Sequence, residues 1–321
     1  MAFADELAAA KENVLICSGD CAITFLPQLG GKIASIQVRG HELLQTPLAP
    51  YGPRTQTMAF DESDASGWDE CLPSVNGCTV QTAVGPASVP DHGDLWRVPW
   101  ELVGSSSMCA AFRAQCFSLP LEFQRTTTLS ETEAGWLLRA DYTVTNTGAY
   151  PAPWSWTAHP SFVAEAGDRI VLPESIHELR LAYSREERLG QENDRVNWPM
   201  AALAQGGRTD LSLAQSPQSA IGEKLFAGPL TTQENWAALE RPQIGLRIRF
   251  RFDPIANPYL GLWICYGGWP DRPGPKQTCV TLEPSTTAVD SLAQTGPWSK
   301  ELAPGQSFSW PMIVEIESFL R

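Results

Sequence analysis

The sequence predicts an all-β fold, a sandwich of packed antiparallel sheets with few short helices, and two patterns carry that prediction. The first is period-2 alternation of apolar and polar side chains, which buries one face of a strand and leaves the other wet. The second is turn chemistry wherever the alternation stops, at Gly30-Gly31, Arg39-Gly40, Asn146-Thr147-Gly148, Gly267-Gly268 and Ala303-Pro304-Gly305.

Val14 to Cys17, Ala22 to Leu26, Ile33 to Val38 and Phe123 to Leu129 are the short strand candidates of the first half. The clearest alternation follows, with Trp136, Leu138, Ala140, Tyr142 and Val144 on one face and Arg139, Asp141, Thr143 and Thr145 on the other. From Ile244 to Asp253 the apolar Ile244, Leu246, Ile248, Phe250 and Phe252 oppose Arg247, Arg249 and Arg251, which reads as a solvated strand face rather than an anion site. Tyr259 to Tyr266 is apolar on both faces, as in a central strand covered on each side. Thr278 to Glu283 and the alternating Phe308, Trp310, Met312, Val314 and Ile316 complete the set. Two long irregular stretches, Pro47 to Gly67 and Ser184 to Gly207, have the length that functional loops have in compact domains. With no visible repeat and no Gly/Ser-rich linker, residues 1–321 are expected to form one domain, Met1 to Asn13 being a short amphipathic helix or tail.

Composition narrows the function. Hydrophobic residues at 43% and charged residues at 18% describe a globular chain, and 12 tryptophans supply flat apolar faces suited to stacking on sugar rings. A formal net charge of −13 argues against nucleic acid and anionic membranes, and no apolar stretch is long enough for a membrane-spanning helix. A cytoplasmic protein, monomeric or homodimeric, is the expectation. The eight cysteines form no C-x-x-C pair and are read as free, mostly buried thiols. Dinucleotide, P-loop, nucleophile-elbow and zinc motifs are absent from the sequence, and no metal or cofactor is expected.

Among four histidines, two stand in distinctive settings. His92 lies in Pro90-Asp91-His92-Gly93-Asp94, where glycine lets a backbone approach a ligand, and His159 precedes Pro160, which fixes the chain direction. The alternative is a pair of ordinary loop histidines. Glu283 ends an otherwise uncharged strand before Pro284, where partial desolvation would raise its pKa into the range of a usable proton acceptor; the alternative is an exposed edge residue. Asp61, Glu62, Asp64, Asp69 and Glu70 surround Trp68, either as a solvated run or as a clasp for sugar hydroxyls.

In order, Gly30-Gly31-Lys32-Ile33, Gly67-Trp68-Asp69-Glu70-Cys71-Leu72-Pro73, Asp91-His92-Gly93 followed by Trp100, His159-Pro160-Ser161-Phe162 and Leu282-Glu283-Pro284 resemble the aldose 1-epimerase group of the galactose mutarotase-like superfamily. The resemblance spans nearly the whole chain. It implies a β-supersandwich whose cleft holds a monosaccharide, with Glu283 as base, His159 as acid and His92 as a binder near the ring oxygen. Arg97, Asp69, Glu70, Trp68, Trp263 and Trp269 join His92 as expected sugar-binding residues. Three departures accompany it. Ala158 and Pro160 flank the second histidine where mutarotases tend to carry Asn and aromatic residues. Arg97 lies five residues beyond His92 rather than the four seen in hexose 6-phosphate enzymes, and only Asp69 and Glu70 offer themselves for the aspartate that holds sugar hydroxyls. A non-catalytic sugar-binding protein, a hexose-phosphate epimerase and a sugar hydrolase or lyase are the rival functions.

Overall fold

The computed structural model describes residues 13–319, so the expected N-terminal helix lies outside the described residues. Two large antiparallel sheets dominate. The eleven-stranded sheet runs Val14–Ser18, Cys21–Leu26, Lys32–Val38, Trp68–Cys71, Thr157–Val163, Thr278–Ser285, Tyr259–Tyr266, Ile221–Ala227, Glu178–Ser184 and Arg195–Asn197, with His41–Glu42 pairing beside Lys32–Val38. The eight-stranded sheet runs Arg169–Val171, Trp236–Arg241, Leu246–Phe252, Ser307–Ser318, Gly135–Asn146, Leu121–Thr132, Cys109–Gln115 and Glu101–Ser105. Helical structure among the described residues is confined to three-residue 3-10 turns.

The space between the sheets is filled largely by aromatic rings. Trp310 packs on Trp156 at 5.0 Å and on Trp154 at 5.7 Å, Tyr142 lies 4.8 Å from Trp156, and Trp68 meets Phe250 at 5.6 Å. Most tryptophans thus serve the core, where each buries a large apolar area, rather than a sugar. All eight cysteines are free, five of them buried, and Arg247, Arg249 and Arg251 form a wet face ion-paired with Glu240, Glu315 and Glu317.

Three central strands of the larger sheet, Thr157–Val163, Thr278–Ser285 and Ile221–Ala227, are buried along almost their whole length. Their inward face meets the aromatic core, as Phe162 does at Phe250. Their outward face is covered by long connections, above all Pro47 to Gly67. That segment is pinned by a buried ion network: Lys32 bridges Asp69 at 2.6 Å and Asp64 at 3.1 Å, and Arg54 bridges Asp64 at 2.6 Å. Burial pushes the Asp64 carboxyl up, but Lys32 and Arg54 overrule it and hold it below the carboxylate range.

A second buried pair lies inside the core. Glu70, fully buried, accepts from Arg125 at 3.1 Å, the Tyr142 hydroxyl at 3.2 Å and Trp156 Nε1 at 3.0 Å. Burial nevertheless pushes its carboxyl up to about 7. A carboxyl raised in the folded state binds more protons than the unfolded chain, so its contribution to stability falls as pH rises towards that value. Arg125→Met is therefore expected to cost about 3–5 kcal/mol, the scale of stranding one partner of a buried pair. Urea denaturation should find a larger loss at pH 8 than at pH 5; a pH-independent loss would contradict the assignment.

Candidate active site

The site begins with register. Thr157 pairs with Ser285 and Ser161 with Thr281, which sets His159 level with Glu283 on neighbouring strands. The same level continues to Asp69 on one side and to Gly261 and Phe226 on the other. Because side chains alternate, these residues share the outward face while Ala158, Pro160, Phe162, Val280 and Leu282 turn to the core. Glu283 does not end its strand: the strand continues through Pro284, opposite Leu260, to Ser285, and the carboxyl is fully buried rather than half-exposed.

His159 Nε2 stands 3.9 Å from Glu283 Oε1. Oε1 is buried and has no hydrogen-bond partner among the described residues, whereas Oε2 accepts from the ammonium of Lys224. Lys224 also lies 3.5 Å from Asp290 Oδ1. Burial raises the Glu283 carboxyl above its ordinary value, with Lys224 opposing, and lowers the His159 imidazole well below its own, helped by the nearby charges of His92 and Lys224. The two proton affinities move towards each other, which suits a pair that must pass protons in both directions.

His92 arrives from a tight turn. Its φ is 57° and that of Gly93 is 67°, and a Cβ on Gly93 would lie 2.2 Å from the Leu72 carbonyl oxygen, so only glycine fits there. The imidazole stacks flat on Phe60 at 3.8 Å and meets His159 edge-on at 5.2 Å. Its Nδ1 lies 2.8 Å from Asp91 Oδ2. Burial pushes the Asp91 carboxyl up, but His92 and Arg97 hold it lowered overall; a carboxylate only accepts, so Nδ1 carries the proton. Above these groups opens a cleft of about 560 Å³, walled by Phe60, Trp263, Trp269 and Tyr183 among others. Trp263 is fixed by its Nε1 donating to Gln277 at 3.0 Å. Among the described residues no group of three or more His, Cys, Asp or Glu side chains is arranged to hold a metal, and no helix is long and apolar enough to cross a membrane.

The aldose 1-epimerase family model matches residues 16–315. The chain belongs to the aldose 1-epimerase family. Solved structures agree on the fold. The Slr1438 protein of Synechocystis sp. PCC 6803 aligns over 96% of both chains with a TM-score of 0.70 at 17% identity. A galactose mutarotase-like protein of Lactobacillus casei aligns over 95% of this chain and all of its own, with a TM-score of 0.68 at 16% identity. One from Clostridium acetobutylicum covers 96% and 95%, with a TM-score of 0.62 at 15% identity. No curated protein matches the sequence.

Within this aldose 1-epimerase family fold, His92, His159, Glu283, Trp263 and Trp269 converge on the cleft as the sequence implied. Four other expected sugar-binding residues do not line it. Trp68 and Glu70 occupy the inward face of their strand and belong to the core, against Phe250 and Arg125. Asp69 faces outward but is committed to Lys32 beneath the loop. Arg97 lies over Trp96 at 4.2 Å and donates to the carbonyls of Met58, Asp91 and Gly93, so it braces the His92 turn instead of reaching a ligand. Sequence reasoning missed Lys224, Asp290 and Phe60. A charged Glu223-Lys224 step inside the apolar run Ile221 to Ala227 was the available signal for the lysine.

Gly261 makes the Lys224–Glu283 contact sterically open, since a Cβ there would lie 2.9 Å from Glu283 Oε2 and 3.4 Å from Lys224 Nζ. Gly261→Ala is expected to cost about 1–3 kcal/mol, the scale of overpacking. Combined with Glu283→Ala in a double-mutant cycle, the two changes should couple by about 0.5–3 kcal/mol because the new methyl and the glutamate side chain contest one volume. Urea midpoints measure both; strict additivity would show that the glycine serves something else.

Proposed function

We propose that this chain is an aldose 1-epimerase acting on an uncharged aldose, and that Glu283 and His159 carry the chemistry. The observation behind the reading is their cross-strand placement, a bare carboxylate oxygen and an imidazole 3.9 Å apart at the base of an aromatic-walled cleft. Glu283 Oε1 takes the proton of the anomeric hydroxyl while the bond between the anomeric carbon and the ring oxygen breaks and that oxygen takes a proton from the imidazolium form of His159, leaving it neutral. The resulting aldehyde rotates and the ring closes on its other face. The hydroxyl then returns its proton to His159 and the carbonyl oxygen regains one from Glu283, so no proton is gained or lost. His92, rigid on Phe60, orients the ring oxygen, and Trp263 and Trp269 supply apolar faces for the sugar.

Charge supports an unphosphorylated substrate. Asp61, Asp91, Glu192, Asp271, Glu283 and Asp290 line the cleft against one ammonium, Lys224, which is already paired. Arg97, whose spacing from His92 already departs from the hexose 6-phosphate pattern, braces the His92 turn.

Glu283→Gln keeps the side-chain size and an acceptor oxygen, and is expected to bind sugar nearly as wild type does while slowing anomer exchange by about two orders of magnitude or more. His159→Asn should cost a comparable factor, and the double variant less than the product, because both serve one coupled step. NMR exchange on free and phosphorylated aldoses, with calorimetry for binding, measures this. A Gln variant exchanging at the wild-type rate removes Glu283 from the mechanism; a wild-type protein that binds aldoses and exchanges none is a sugar-binding protein.

A further inference from the structure

A lysine in the cleft base is the residue that the reading above leaves without a task. Lys224 projects from Ile221–Ala227, two strands away from Glu283, and reaches it over Gly261 on the intervening strand. Its contact is one-sided: the ammonium takes Oε2, and the oxygen that faces His159 is left bare. A pair serving only stability would resemble Glu70 and Arg125, sealed between the sheets; this one is set at the wall of the cavity.

We propose that Lys224 is the positioning residue of the acid–base pair, holding Glu283 as a carboxylate with Oε1 alone directed at His159 and the sugar. The inference rests on the proposed epimerase reading and adds a cause for the ionisation of its base. A carboxyl with no exposed surface favours its neutral form, which cannot take a proton. The groups facing Glu283 divide accordingly. Lys224 favours the carboxylate, as does any positive charge on His92 or His159, and Asp290 opposes it. Cys71, on the strand beyond His159, and Cys279, on the strand of Glu283 itself, are thiols that burial pushes up and holds neutral. Lys224 is thus the permanent cation in contact with the base, and Asp290 is the carboxylate that shares it.

The test is titration of the Glu283 carboxyl by NMR on protein carrying 13C-labelled glutamate, the resonance assigned by its loss in Glu283→Gln, beside the pH profile of kcat/KM for anomer exchange. In Lys224→Met the carboxyl is expected to titrate about one pH unit or more higher, and the acidic limb of kcat/KM to move with it, so that much of the lost activity returns on the alkaline side. Lys224→Arg should restore both towards wild type. Asp290→Asn frees the lysine for Glu283 alone and should move the titration the opposite way, which keeps the test decisive if Lys224→Met does not fold. An unmoved titration in a folded Lys224→Met, a Lys224→Arg displaced as far as the methionine variant, or a raised or unmoved titration in Asp290→Asn would each overturn the proposal. Absence of anomer exchange in wild type would instead remove the epimerase reading, and the carboxyl titration would still report on Lys224.

Discussion

Desolvation of charge is the constraint on which the rest of this molecule depends. Strands at the middle of the larger sheet are covered on both faces, by an aromatic core on one side and by long connections on the other, so an ionisable group placed on them surrenders its water. Lys32, Asp69, Glu70, Lys224 and Glu283 on the larger sheet all accept that condition, as do Asp64 from the covering connection and Arg125 from the smaller sheet. Each is held by partners on other elements, and the partners differ in what they leave free. Asp64 and Asp69 are tied to two cations beneath the loop, and Glu70 is enclosed by Arg125, Tyr142 and Trp156. Glu283 is secured on one oxygen only.

That difference separates fastening from chemistry. A carboxylate enclosed by donors fixes geometry; one with a bare oxygen in a cavity offers a strong acceptor to whatever enters. His159 beside it and a second histidine locked against Phe60 make the same region rich in proton-handling groups whose positions are set by strands and by one strained turn. The long connection from Pro47 to Gly67 contributes twice, anchoring itself through Arg54 and Asp64 and presenting Phe60 to the site.

Legibility in the sequence followed exposure. Strands with one wet face, such as Gly135–Asn146, Leu246–Phe252 and Ser307–Ser318, announce themselves by alternation, and the structure places them as expected. Strands buried on both faces lose that signature and show only where the apolar run is unbroken, as in Tyr259–Tyr266; Ile221–Ala227 and Thr157–Val163, interrupted by Glu223-Lys224 and by His159-Pro160, carry neither signal, and Lys224 is hidden with the first of them. The setting of His92 is readable because Gly93 marks a close backbone approach; His159 and Glu283 come with the family resemblance, since Pro160 and Pro284 both continue their strands. The neighbouring run Trp68-Asp69-Glu70 was misjudged for a plain reason: consecutive residues on a strand face opposite ways, and nothing in a four-residue strand between buried neighbours tells which side is the cleft. Tryptophan count misled similarly, since an aromatic ring fills a core as readily as it receives a sugar.

Gly261 ties three strands into one hereditary unit. Its missing side chain leaves the space that Glu283 fills, so the order in which these positions can change is restricted. Alanine at 261 is obstructed by Glu283, whose Oε2 and Cβ would lie 2.9 and 3.2 Å from the new methyl, and shortening the lysine, 3.4 Å away, does not remove that obstruction. Lineages that lost the lysine alone would therefore still be held to the glycine, and only a change at the glutamate would release it.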